Sequence, residues 1–183
     1  ESLMDIIPGP DFPTGGIVMG KSGIVDAFKT GRGKIFIRSK CIIEKKKNVQ
    51  QIIITEIPYE VVKSQLVSKI DLLRIDKKID GLLDVRDETD RTGLRIVLEI
   101  KKDANAQAIL NYLYKNTDLQ ISYNYNMVAI INGRPMTVGI LQILDAYIVH
   151  QKEIITRRSK FDLDVYQKRM HIIEGLIKAI SIL

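Results

Sequence analysis

The sequence has no tryptophan, one cysteine (Cys41) and two histidines (His150 and His171) among 183 residues. A single cysteine excludes a disulfide framework and a cysteine-rich zinc site. Two histidines give no basis for a histidine-based metal cluster. No apolar run approaches the roughly 20 residues that a membrane-spanning helix requires, so a spanning protein is excluded. No signal or transit segment stands at the start, which is Glu1 rather than methionine. What is present is ample apolar material. Hydrophobic residues make up 45% of the chain, which excludes disorder and suffices for one or two compact domains.

The net charge is +6, and its placement is uneven. Between Lys21 and Lys47 stand nine basic residues against Asp26 and Glu44, a net of +7. The rest of the chain is left at −1. One stretch holds the whole excess, which points to a localised anionic partner rather than to general basicity.

Residues 6–16 hold three prolines and three glycines, and residues 1–16 are expected to form an irregular lead-in. A short helix from Gly23 to Thr30 is expected, closed by Gly31 and Gly33. Lys34–Glu44 alternates: Ile35, Ile37, Cys41 and Ile43 share one face, and Lys34, Phe36, Arg38 and Lys40 the other. The spacing predicts further strands at Gln51–Ile57, Ile79–Arg86, Leu94–Lys101, Leu119–Tyr125 and Met127–Ile131, the last ending in an Asn132-Gly133 turn. Helices are expected over Tyr59–Asp76, with Val62, Leu66, Ile70 and Leu73 buried, and over Asp103–Lys115, with Ile109, Leu110 and Leu113 inward. After Gly139 the pattern becomes long helix. Leu163, Tyr166, Met170, Ile173, Ile177 and Ile180 step by three and four, a heptad-like seam suited to another helix. The expected fold is α+β, an antiparallel or mixed sheet with packed helices over residues 17–137, followed by long helices over residues 139–183. The chain stops inside an apolar helical pattern with neither cap nor breaker, and reads as an internal piece of a longer cytoplasmic protein.

Several segments invite a chemical reading. Gly15 through Ser22 satisfies the phosphate-loop pattern, with Lys21 for terminal phosphates and Ser22 for magnesium. Its context argues otherwise: proline-rich residues precede it, and Ile17-Val18-Met19 in its middle is itself strand-like. Asp84, Asp87, Glu88 and Asp90 cluster, but Arg86, Arg91 and Arg95 interleave and neutralise them, as in a solvated hairpin turn. Tyr112, Tyr114, Tyr123 and Tyr125 fall at core-facing or half-buried spacings and read as packing rather than as nucleophiles. Cys41 reads as a buried thiol on the apolar face of its strand. No catalytic residue and no metal ligand is assigned.

The basic window carries the clearest chemical signal. Same-face residues of a strand are about 7 Å apart, comparable to successive phosphates along one DNA strand. Lys34, Arg38 and Lys40, with Arg32 at the loop-to-strand junction, are therefore the candidate nucleic-acid contacts, through phosphates rather than bases. The plainer alternative is a solvated charged face, with Lys45-Lys46-Lys47 as a charged hairpin tip.

Longer stretches carry a resemblance. Ile7-Pro-Gly-Pro-Asp-Phe-Pro-Thr-Gly-Gly16, Thr30-Gly-Arg-Gly-Lys34, Ile54-Thr-Glu-Ile-Pro-Tyr59, Asp84-Val-Arg-Asp-Glu-Thr-Asp-Arg91, Asn126-Met-Val-Ala-Ile130 and Arg169-Met-His-Ile-Ile-Glu-Gly-Leu176 occur in this order. Together they resemble the A subunits of bacterial type IIA topoisomerases over essentially the whole chain. The stretch Tyr112–Asn126 is more similar to the topoisomerase IV branch than to the gyrase branch. The resemblance implies a parent enzyme that cuts both strands of one duplex, passes another through and reseals. It implies three partners: double-stranded DNA, the topoisomerase B subunit, and a second copy of the A chain, in a heterotetramer. Magnesium and ATP would sit on the B subunit, leaving no cofactor in this piece. The nucleophilic tyrosine, its neighbouring arginine and a DNA-wedging isoleucine would lie upstream of Pro8. This chain would supply the tower domain and the beginning of a coiled-coil arm.

Overall fold

The computed structural model describes residues 2–46 and 48–182, excepting the side chain of Ser2. Helix α1 (Ser2–Ile6) precedes the proline-rich lead-in, and strand β1 (Ile17–Met19) leads into helix α2 (Ser22–Thr30). Gly31 ends α2 in the left-handed region at φ 80°, where a Cβ would be penalised, and its amide donates to the Ala27 carbonyl at 2.7 Å. Strand β2 (Arg32–Arg38) follows at once.

The remaining strands are β3 (Lys40–Lys45), β4 (Val49–Glu56), β5 (Leu82–Asp87), β6 (Ile96–Lys101), β7 (Gln120–Asn126), β8 (Val128–Ile131) and β9 (Arg134–Thr137). They form an antiparallel three-stranded sheet in the order β1-β2-β7, an antiparallel four-stranded sheet in the order β3-β4-β6-β5, and the β8–β9 hairpin. Helices α3 (Lys63–Ile75) and α4 (Ala106–Asn116) pack on the four-stranded sheet. The α+β expectation holds.

Each sheet has its own apolar cluster. Ile52, Ile54, Ile96, Leu98 and Ile100 meet Leu66 and Ile70 of α3 and Leu110 and Leu113 of α4. Burying each such side chain contributes about 1.5–3 kcal/mol of transfer free energy before entropy is subtracted. The smaller cluster joins Ile24 and Phe28 of α2 to Ile35 and Ile37 of β2. Phe12, Tyr59 and Tyr123 close its edge, with Phe12 and Tyr123 ring centroids 5.3 Å apart, edge to face.

Several expectations require correction. The alternating stretch Lys34–Glu44 is two strands, broken at the buried Ser39. Pro58 opens a turn, with Glu60 at φ 69°, and α3 starts only at Lys63; Val62 is half exposed and outside the buried stripe. Strand β9, which tolerates Pro135 because it is an edge, extends the sheet content beyond the expected strands. Beyond Gly139 there is one helix, α5 (Ile140–Ile182), of 43 residues. None of its residues is buried, and the seam from Leu163 to Ile180 stands uncovered within this chain. Tyr112 is exposed on α4 rather than core-facing. Among the described residues no helix is long and apolar enough to cross a membrane.

Candidate nucleic-acid interface

Alternation along β2 puts Ile35 and Ile37 into the small core, so Arg32, Lys34, Phe36 and Arg38 emerge on the opposite face. Antiparallel register places β7 beside them: Arg32 opposite Asn126, Lys34 opposite Asn124, Phe36 opposite Ser122 and Arg38 opposite Gln120. Directly paired residues project to the same side of a sheet. The outer face is therefore two columns, one cationic with an aromatic in it and one of amides and a hydroxyl. On the other flank β1 adds Met19 opposite Phe36 and Ile17 opposite Arg38, both partly exposed. The face grades from polar at the Arg32 end to apolar around Phe36. The Lys34 ammonium stands 5.7 Å from the Phe36 ring centroid, a weak cation–π contact at the boundary.

The four candidate cations differ sharply. Arg32 and Lys34 are not buried and form no ion pair among the described residues. Arg38 is half-buried: its Nε donates to Gln120 Oε1 at 2.8 Å, and its guanidinium lies 4.4 Å from the Tyr114 ring centroid. Lys40 is not on this face at all. It opens β3 in the other sheet, and its ammonium pairs with Glu56 Oε1 at 3.1 Å. The expectation that Lys34, Arg38 and Lys40 share one strand face fails at Ser39, where the chain passes from one sheet to the other. The wider basic window is likewise divided between α2, β2 and β3, and Lys47 lies outside the described residues.

The crossing is braced from both sides. The Ser39 amide donates to the Leu119 carbonyl at 2.8 Å, and the Tyr114 hydroxyl donates to the Ser39 carbonyl at 3.3 Å. Burial pushes the Tyr114 hydroxyl well above its ordinary range, helped by the neighbouring Cys41. Burial also raises the Cys41 thiol, against the lowering effects of Tyr114 and Arg38, so Cys41 is a poor thiolate. Glu56 works in two directions: Oε1 holds Lys40, and Oε2 accepts the Gly16 amide at 2.6 Å. The Gly16 hydrogen bond, and Lys40 after it, hold the Glu56 carboxyl below its ordinary value.

The other chemical candidates resolve into structure. Within the phosphate-loop pattern, Ile17–Met19 is a strand whose register with β2 runs from Arg38 to Phe36, where a cradle would need free amides. In the acidic turn, Arg86 reaches Asp84 at 2.8 Å, Glu99 at 3.0 Å and Glu88 at 3.3 Å, and Lys63 reaches Asp87 at 2.7 Å. Among the described residues no group of three or more histidines, cysteines and carboxylates could hold a metal ion. The β7 column of Gln120, Ser122, Asn124 and Asn126 is not among the candidates that sequence reasoning finds. Its signal is the polar half of an alternation whose other half is dominated by tyrosines.

Comparison with known proteins gives these features a setting. All of residues 1–183 match the family described as the A subunit of DNA gyrase/topoisomerase IV. The chain belongs to that family. It is 63% identical over 184 aligned positions to the DNA topoisomerase 4 A subunit of Staphylococcus aureus, and 60% identical to its namesakes from Staphylococcus epidermidis and Bacillus subtilis. Each alignment covers 100% of this chain and 23% of the relative's length.

Proposed function

We propose that this chain is the DNA-supporting part of the cleavage and rejoining subunit of a type II topoisomerase, of the topoisomerase IV kind. The whole-chain match to the A-subunit family carries this reading, and the outer face of β2 supports it. The parent enzyme would decatenate and relax DNA during chromosome segregation, as a heterotetramer of two A and two B subunits near the bacterial nucleoid. ATP and magnesium would act on the B subunit. The nucleophilic tyrosine would come from another part of the A subunit, as the family resemblance implies. Residues 17–137 would form the tower domain, and α5 would begin the coiled-coil arm.

In this reading Arg32 and Lys34 hold the DNA flank by its phosphates, and Arg38 and Lys40 contribute less because protein groups already occupy them. Binding then releases counterions and weakens with salt. In the full-length A subunit, the double variant R32Q/K34Q is expected to bind a linear duplex more weakly. Its log affinity against log salt should be shallower by roughly 2, about 0.9 for each phosphate no longer neutralised. Unchanged binding across the salt titration would remove these residues from the interface. Two other readings have direct readouts. A gyrase-type enzyme would introduce negative supercoils once joined by its B subunit. A purely dimerising domain would leave DNA affinity untouched and lose self-association when α5 is altered.

A further inference from the structure

The polar end of the outer face carries a shallow, open depression. Arg32, Lys34, Asn124 and Asn126, with Asp26 of α2 at the side, line an open hollow of about 610 Å³. Gly33 and Val128 complete its lining, and its polar side chains are two cations, two primary amides and one carboxylate, so an anion meets net positive charge. The register explains the grouping: Arg32 and Lys34 are each directly paired, across the strands, with one of the two asparagines. The pairs repeat along the strand at about 7 Å, so two cation–amide pairs stand at the separation of two neighbouring phosphates. None of the four residues is buried, so none of these side chains is consumed by the core.

We propose that Asn124 and Asn126 are DNA-contacting residues, each acting with its cross-strand cation to hold one phosphodiester of the duplex in this hollow. This rests on the reading of the β2 face given above. The two partners do different work. The cations displace counterions and supply attraction that is long-ranged and salt-dependent. The amides supply directional hydrogen bonds from Nδ2 to phosphate oxygens, which fix where the phosphate sits and carry no charge. A second column of donors would add directional contacts to the charge of Arg32 and Lys34 and so favour one position of the phosphates over neighbouring ones.

The difference in kind gives the test. In the full-length A subunit, N124A/N126A should weaken binding of a linear duplex by roughly a hundredfold, about tenfold for each hydrogen bond to a charged acceptor that is lost, with the salt slope unchanged. R32Q/K34Q should weaken binding and flatten the slope. The isosteric N124D/N126D should weaken binding further, because it sets two carboxylates against the phosphates. Wild-type affinity in both asparagine variants, with R32Q/K34Q still impaired, overturns this proposal and leaves the β2 reading standing. Wild-type affinity in all three overturns both. A flattened slope in N124A/N126A also overturns the division of labour, since it would mean that the asparagines act only by positioning the cations.

Discussion

Lys40 and Gly16 are joined through one side chain: Glu56 accepts the Lys40 ammonium on Oε1 at 3.1 Å and the Gly16 amide on Oε2 at 2.6 Å. The carboxylate thereby ties the turn before β1 to the four-stranded sheet and removes Lys40 from the pool of free cations. Replacing Glu56 by glutamine is expected to lower stability by about 1 kcal/mol, since glutamine offers one acceptor oxygen where the carboxylate offers two, so one of the two bonds and the charge that pairs with Lys40 are lost. The folded-state value of Glu56 lies below its ordinary 4.5, so its contribution is complete above that pH and is lost as pH falls below it. Urea melts of wild type and E56Q should therefore differ at neutral pH and converge in acid.

Gly33 sits where β2 crosses close to α2. A methyl group there would overlap the Gly23 carbonyl and crowd Ala27. Gly33→Ala is expected to destabilise by roughly 3 kcal/mol, because neither backbone can retreat without opening the small core. Thermal melts would read this, and an unchanged midpoint would show that the two elements are less tightly apposed.

Ser39 is fully buried, and its Oγ has no hydrogen-bond partner among the described residues. An unpaired buried hydroxyl opposes folding. Ser39→Ala should therefore be neutral or stabilise by up to about 1 kcal/mol. Ser39→Leu should destabilise by overpacking the crossing between the sheets. Equal losses in both variants, by chemical denaturation, would mean that the hydroxyl has a structural role.

Asp87 is held down to about 2, first by Lys63 at 2.7 Å and then by Thr89, and this pair ties β5 to the start of α3. In Lys63→Met its titration should move up toward the ordinary 3.8, followed by carbon NMR of the carboxyl group. The sign is that of a depressed carboxylate: the stabilisation is present above 3.8 and disappears as pH falls toward 2. The pair is a third exposed, so at neutral pH its loss should cost less than about 1 kcal/mol.

Much of this was legible in the residues. The apolar period of Ile109, Leu110 and Leu113 marked the inner side of α4, and Asn105 caps that helix by accepting the Ala108 amide at 3.1 Å. Gly31 announced the end of α2, and Asn132-Gly133 announced the turn after β8, with both residues at positive φ. Three to four residues suffice to define such features, so a local reading finds them. The break at Ser39 left no such trace. A run that alternates for eleven residues looks like one strand, and nothing in it says that its two halves pair with different neighbours.

By itself the sequence determined the α+β class, the family, the excess of charge in residues 21–47 and the alternation of faces on either side of Ser39. Tertiary structure alone decided which strand lies beside which. Arg38 meets Gln120 across 82 positions in the chain, and Lys40 meets Glu56 in another sheet. Alternation is a property of a strand and can be read along it. Pairing is a contest among all strands, settled by the joint burial of their apolar faces, and it made two of the candidate cations into structural ties and set two asparagines beside the others.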